Sequence, residues 1–161
     1  MAETIYRNYA REELDAQYNN FLQAGAQQAY ETATVRAAHN SATMNPETGI
    51  RYGQHAGQIF DLYRAGSGAA PAIVYMHGGQ WQKGDATTSA VAADTIATQG
   101  VVLVAGHCAQ IPDVRLPDMI DQMVALVRHV RGNAASLGID PGRICVAGHS
   151  SGALLAGAAL V

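Results

Sequence analysis

A chain of 161 residues, 48% hydrophobic and 14% charged, holds enough material for one domain with a sizeable core and is far from the composition of a disordered segment. A formal net charge of -3, with no basic run, gives no footing for nucleic acid or an anionic membrane as partner. There is no stretch of about 18 apolar residues to span a membrane, no apolar signal core at the N-terminus, and only two cysteines, Cys108 and Cys145, too few for a disulfide framework. The expectation is a soluble cytoplasmic protein.

Residues 1–49 read as an N-terminal helical arm. Leu14, Tyr18 and then Phe21 or Leu22 recur at helical spacing, and residues 24–38, rich in Ala and Gln with Tyr30 and Val35 as large anchors, suit a surface helix. Asn45-Pro46-Glu47-Thr48-Gly49 supplies turn chemistry and closes the arm. The second segment, residues 50–161, has a different period. Gly57 to Tyr63 alternates as a strand and Gly66-Ser67-Gly68 ends it. Pro71–Met76, Val101–Ala105 and Arg143–Ala147 are runs of the kind buried on both faces of a parallel sheet.

Between those runs, residues 85–99 form a weak helix candidate. Leu116, Ile120, Met123, Val127 and Val130 make one apolar stripe of a longer helix, with Pro117 in its first turn. Gly138 and Asp140-Pro141-Gly142 stop it. Small residues and leucines after Ser150 begin another helix. Strands alternating with helices over short connections predict an α/β fold with a parallel sheet.

Two motifs carry chemistry. Gly148-His149-Ser150-Ser151-Gly152 follows a buried strand and opens a helix, which is the setting that lifts a serine hydroxyl clear of a sheet on a strained turn. Ser150 is therefore the candidate nucleophile, and the backbone N–H of Ser151, in the first turn of the helix, is one candidate oxyanion donor. A Gly/Ser turn without chemistry is the bland alternative. It is harder to hold beside His77-Gly78-Gly79-Gln80-Trp81, which sits at the end of another buried strand, the edge where such sheets bind ligands. Gly78 and Gly79 can aim backbone N–H groups at a substrate carbonyl. His77 braces the loop or is an ordinary loop histidine; Trp81 walls the acyl or leaving-group pocket or packs beneath the loop.

On these residues the sequence resembles the α/β-hydrolase superfamily, in the branch of kynurenine formamidase (arylformamidase) and related carboxylesterases. Leu14-Asp15-Ala16-Gln17-Tyr18-Asn19-Asn20 is similar to that branch's N-terminal arm, His77-Gly78-Gly79-Gln80-Trp81-Gln82 to its oxyanion loop, and Asp140-Pro141 with Arg143-Ile144 to its approach to the nucleophile. The resemblance implies attack by Ser150 on an ester or on an N-formyl or aryl-amide carbonyl. Gly78, Gly79 and Ser151 would stabilise the tetrahedral intermediate, and His77 and Trp81 would stand with the substrate-binding residues. An amide or carbamate hydrolase would use the same machinery, and a non-catalytic remnant serving as an interaction module is the alternative of a different class. Phe21, where the branch carries Arg, and Gly106-His107-Cys108-Ala109-Gln110-Ile111-Pro112, where related esterases carry a Tyr-Arg-Leu-Ala-Pro type sequence, depart from the pattern and leave the pocket's shape open.

In this fold the acid and the histidine follow the serine along the chain. Only 11 residues follow Ser150 (161 − 150), so the expectation is a fold truncated after the nucleophile turn, with both residues absent from their family positions. Among upstream histidines His107 is best placed to substitute as base, although a loop or core histidine satisfied by backbone is the commoner case; His149 should point away from Ser150, His129 reads as a solvated or boundary residue, and His39 and His55 show no partner. Cys145 reads as apolar filler in a buried strand and Cys108 as buried. Scattered histidines, with no Cys-x-x-Cys, phosphate loop or dinucleotide loop, predict neither metal nor cofactor. An unpaired sheet edge and an Ala-rich arm favour a homo-oligomer.

Overall fold

The computed structural model describes residues 4–66 and 68–160; Met1–Glu3 of the opening segment, Ser67 of the turn at 66–68 and Val161 lie outside the described residues. The chain forms two compact units, Met1–Val35 and Arg36–Val161. The first unit opens on an antiparallel hairpin, β1 (Thr4–Tyr6) and β2 (Tyr9–Ala10), where helix was expected. Arg7, at φ 50°, turns the chain between the two strands. Helix α1 (Arg11–Tyr18) follows, and its Glu13 carboxylate accepts the Ala10 N–H at 2.9 Å, satisfying a donor the helix cannot. Asn19 Oδ1 accepts the Phe21 N–H, and the Phe21 ring meets Tyr30 edge-on at 5.5 Å between centroids. Helix α2 (Ala26–Thr43) runs from the first unit into the second.

In the second unit α2 buries Ala37 and Asn40; the Asn40 amide donates to the Ala90 carbonyl at 2.8 Å, and Arg36 pairs with Asp94 at 2.9 Å. Residues expected to close the arm instead begin a strand, β3 (Glu47–Arg51), whose Gly49 N–H donates to the buried Asp61 carboxylate at 2.8 Å. The remaining strands are β4 (Ile59–Tyr63), β5 (Ala70–Met76), β6 (Val102–Gly106) and β7 (Ile139–Gly148), in the order β3-β4-β6-β5-β7. The sheet is therefore mixed and not parallel throughout: β3, β4 and β6 pair antiparallel, while β6, β5 and β7 pair parallel. The short turn between β3 and β4 permits only the antiparallel arrangement, whereas each parallel pair is bridged by helices.

Strand alternation sends side chains to two cores. Phe60, Leu62, Val74, Met76, Val102 and Val104 face one side, where they meet α4 (Leu116–Gly132) and α6 (Ser151–Ala158). Tyr63, Leu103 and Ala105 face the other with Ala37, Ala90 and Ala93, the last opening α3 (Ala93–Thr98). The α4 stripe centres on Met119, Met123, Leu126 and Val130, with Leu116, Ile120 and Val127 along its border, so the helix is turned slightly from the sequence expectation. Gln122 is buried as well, because its side-chain carbonyl accepts the Ala109 N–H at 2.9 Å.

Short helix α5 (Ala134–Leu137) ends at Gly138, while Asp140-Pro141-Gly142, expected to stop a helix, lies inside β7. As an edge strand β7 is paired on one side only, so Cys145 is exposed and is not buried filler. The chain leaves β5 to form β6 on one side of it and returns as β7 on the other. The carboxyl ends of β5 and β7 thus flank a topological switch point, where open α/β sheets bind ligands. Among the described residues no helix is long and apolar enough to cross a membrane.

Candidate active site

Strand β7 ends at Gly148 and α6 begins at Ser151, which leaves His149 and Ser150 to make the whole turn. Ser150 does so at φ 52° and ψ −123°, a conformation that costs a non-glycine residue about 1–3 kcal/mol. The flanking glycines are steric requirements. A Cβ on Gly148 would overlap the Gly152 carbonyl, and one on Gly152 would overlap the Met76 and His77 carbonyl oxygens. Hydrogen bonds from His149 N–H to Met76 O (3.2 Å) and from Gly152 N–H to His149 O (2.8 Å) lock the turn against the end of β5. Ser150 is exposed and Ser151 buried.

The segment after β5 is the second wall. Gly79 takes φ 126°, where a Cβ would overlap the Lys83 carbonyl, and Gln80 and Trp81 follow at φ 56° and 62°. The loop folds back on itself through Gln82 and Lys83 N–H groups, both donating to Gly79 O at 3.0 Å. It is tied outward by Ile111 N–H to Trp81 O (2.9 Å) and by the Gln110 amide to Lys83 O (2.9 Å). Gly78 packs so closely on the Ser150 turn that a Cβ there would lie 3.0 Å from both Ser150 Cβ and His149 Nδ1. Among the described residues the backbone N–H groups of Gly78, Gly79 and Ser151 donate to no protein acceptor.

His77 is buried, and both of its ring nitrogens are engaged. Nδ1 lies 2.6 Å from the Gly78 carbonyl and Nε2 lies 2.9 Å from His107 Nδ1. It therefore braces the loop and has no nitrogen left for substrate, which narrows the substrate-binding role expected of it. His107 is itself clamped: its N–H donates to Ile59 O at 2.9 Å and its carbonyl accepts the Tyr52 hydroxyl at 2.7 Å. Burial holds the His77 pKa below the usual imidazole range, and burial together with His77 pushes His107 down to about 4. His107 thus turns its Nδ1 to His77 and not to Ser150. Its partnership with His77 escaped the sequence reading, since the only signal was its place just after a buried strand.

Three other histidines have different neighbours. His149 is in the turn, His129 meets the Phe60 ring edge-on, and His55 Nδ1 accepts the Gly57 N–H within its own turn. A small cavity with room for about one water lies under the loop, lined by Met76, His77, Gly78, Trp81, Cys108 and Ser151. Trp81 both lines this cavity and packs on the core, and its buried Nε1 has no partner among the described residues. Cys108 is buried as expected, and burial pushes its thiol up to about 11, so it is no reactive thiolate. Among the described residues no group of His, Cys, Asp or Glu could hold a metal ion.

A family model, BD-FAE, matches residues 60–160, from β4 to the end of α6. The chain is 39% identical over 84 residues to carboxylesterase NlhH of Mycobacterium tuberculosis, covering 51% of this chain and 26% of that protein. It is 28% identical over 138 residues to an esterase of Fusarium pseudograminearum, covering 82% of this chain and 42% of that one. Among solved structures, a truncated carbohydrate esterase from gut microbiota superposes with a TM-score of 0.62 at 26% identity, over 69% of this chain and 41% of its own. The matched regions thus span less than half the length of these relatives.

Proposed function

Because the chain belongs to the BD-FAE family and has an α/β-hydrolase fold, we propose that it is a serine hydrolase acting through an acyl-enzyme on Ser150. The observation that carries this reading is the exposed Ser150 at φ 52° on the strand-to-helix turn, beside three backbone N–H groups without acceptors among the described residues. In the proposed reaction Ser150 Oγ attacks the substrate carbonyl and passes its proton to a general base. The oxyanion is held by the N–H groups of Gly78, Gly79 and Ser151, each worth roughly 3–4 kcal/mol to the transition state. Collapse of the intermediate expels the alcohol or amine, which takes up the proton, and water then cleaves the acyl-enzyme. The substrate is a carboxylic ester, or an N-formyl or aryl amide, with Trp81 walling the pocket.

The base itself is not among the groups bonded to Ser150: His77 and His107 spend their facing nitrogens on each other. That observation favours one competing reading, a non-catalytic module. A fluorophosphonate probe separates the two. Labelling of the chain that disappears in Ser150→Ala supports the hydrolase, and an unlabelled wild type supports the module. A panel of p-nitrophenyl esters beside N-formylkynurenine then assigns the substrate class.

A further inference from the structure

We infer that His107 is a positioning residue for the oxyanion loop: it donates Nδ1–H to His77 Nε2 and so holds His77 in the tautomer that grips the Gly78 carbonyl. A carbonyl oxygen can only accept, so at 2.6 Å from Gly78 O the proton must sit on His77 Nδ1. A neutral imidazole has one N–H, which leaves Nε2 as a lone pair in need of a donor. His107 Nδ1 is 2.9 Å away, with the two rings inclined by 22° and their centroids 5.2 Å apart, an edge-to-edge nitrogen contact. The His107 main chain is held on both sides, its N–H by Ile59 O and its carbonyl by the Tyr52 hydroxyl. One polar chain therefore runs from Tyr52 through His107 and His77 to Gly78.

The reverse polarity would require a doubly protonated His77 donating from Nε2. Burial opposes that cation, and it outweighs Asp85, the carboxylate acting in the opposite sense on both rings. The other ionisable groups lining this space are Lys83 and the Cys108 thiol, which burial keeps protonated. What the chain of bonds accomplishes is to fix the Gly78–Gly79 peptide, and with it the direction of the Gly79 N–H. Its catalytic meaning rests on the proposed serine hydrolase, whereas the tautomer does not.

The test uses the full chain and reads imidazole nitrogens and glycine amides by NMR. In the wild type near neutral pH, His77 is expected as the Nδ1–H tautomer with a bare Nε2, and His107 with its proton on Nδ1. His107→Phe keeps a flat ring but removes the donor; it is expected to mix the His77 tautomers and move the Gly78 and Gly79 amide resonances. His107→Asn restores a donor and is expected to return both toward wild type. Fluorophosphonate labelling of Ser150 should fall about tenfold in His107→Phe and recover in His107→Asn, the scale of a misaimed oxyanion donor. An Nε2–H tautomer of His77 in the wild type overturns the inference without any variant, as do glycine amides unmoved by His107→Phe. A wild type that is not labelled at all removes the hydrolase reading, while the tautomer and amide shifts still decide the role of His107.

Discussion

The two turns that meet at the switch point, the proposed nucleophile turn and the proposed oxyanion loop, are held by main-chain contacts to different degrees. The nucleophile turn is fixed by backbone against backbone: Gly148 against Gly152, Gly152 against Met76 and His77, and hydrogen bonds of 2.8 and 3.2 Å among main-chain atoms. The proposed oxyanion loop has main-chain bonds of its own, from Gln82, Lys83 and Ile111, and adds side-chain braces: His77 within it and His107 and Gln110 from elsewhere. Main-chain packing allows no adjustment when an atom is added, because neither partner can rotate away. Side-chain bracing can be altered one hydrogen bond at a time, each worth about 1 kcal/mol net. The glycines of the Gly-x-Ser-x-Gly pattern are thus demanded by geometry, while the side-chain braces of the facing loop can be removed one at a time.

The sharpest way to break this comparison is Gly152→Ala. The added methyl group would overlap the carbonyl oxygens of Met76 and His77, so a shift of β5 or α6 must accommodate it. We expect a loss of about 3 kcal/mol or more, the upper range for overpacking, read as a lower urea midpoint at unchanged slope. A loss below about 1 kcal/mol would show that the turn yields and that the contrast with the oxyanion loop is false.

Ser150→Gly probes the strain in the same turn from the other direction. Glycine adopts φ 52° without the penalty a serine carries, so the variant should gain about 1 kcal/mol after the entropy it costs the unfolded chain. Ser150→Ala should gain nothing, since alanine keeps the Cβ. Equal stability of the two variants would remove the claim that Ser150 is held against its own preference.

Much of this site was legible in the sequence because it is local. Ser150, its two glycines and the glycine pair at 78–79 lie within five-residue patterns whose strand and helix neighbours were also readable. The supports of the oxyanion loop were not, because His107 is 30 positions from His77 and Gln110 is 27 from Lys83, and nothing in one sequence couples them. The same holds for the fold. The three apolar runs became β5, β6 and β7, but their pairing order and the antiparallel β3 and β4 are properties of the assembled sheet. The hairpin at residues 4–10 was missed for a different reason: two short strands carry too few residues to show a period.

The smallest expected effect is the most specific to the side-chain braces. The His107 pKa is about 4 in the fold against an ordinary 6.5, and that of His77 is also lowered, so both are neutral in the folded chain where the unfolded chain takes up protons. The unfolded state therefore binds more protons between about 6.5 and 4, and stability must fall as pH drops through that window. Asp94, Asp118 and Asp140, all shifted downward by their arginine or backbone partners, lose their contributions only below 3.8. Asp61 is raised by burial and works in the opposite sense just above 3.8, which blunts the acid end of the curve. Subtracting the profile of His107→Asn isolates the histidine part. The slope lost should lie well under the limit of about 1.4 kcal/mol per pH unit for one proton, because the ring is partly open to solvent. If the two profiles run parallel from pH 7 to 4, His107 titrates alike in the folded and unfolded chains. The proposed oxyanion loop would then be held by its main-chain bonds, the Gln110 amide and His77, without His107.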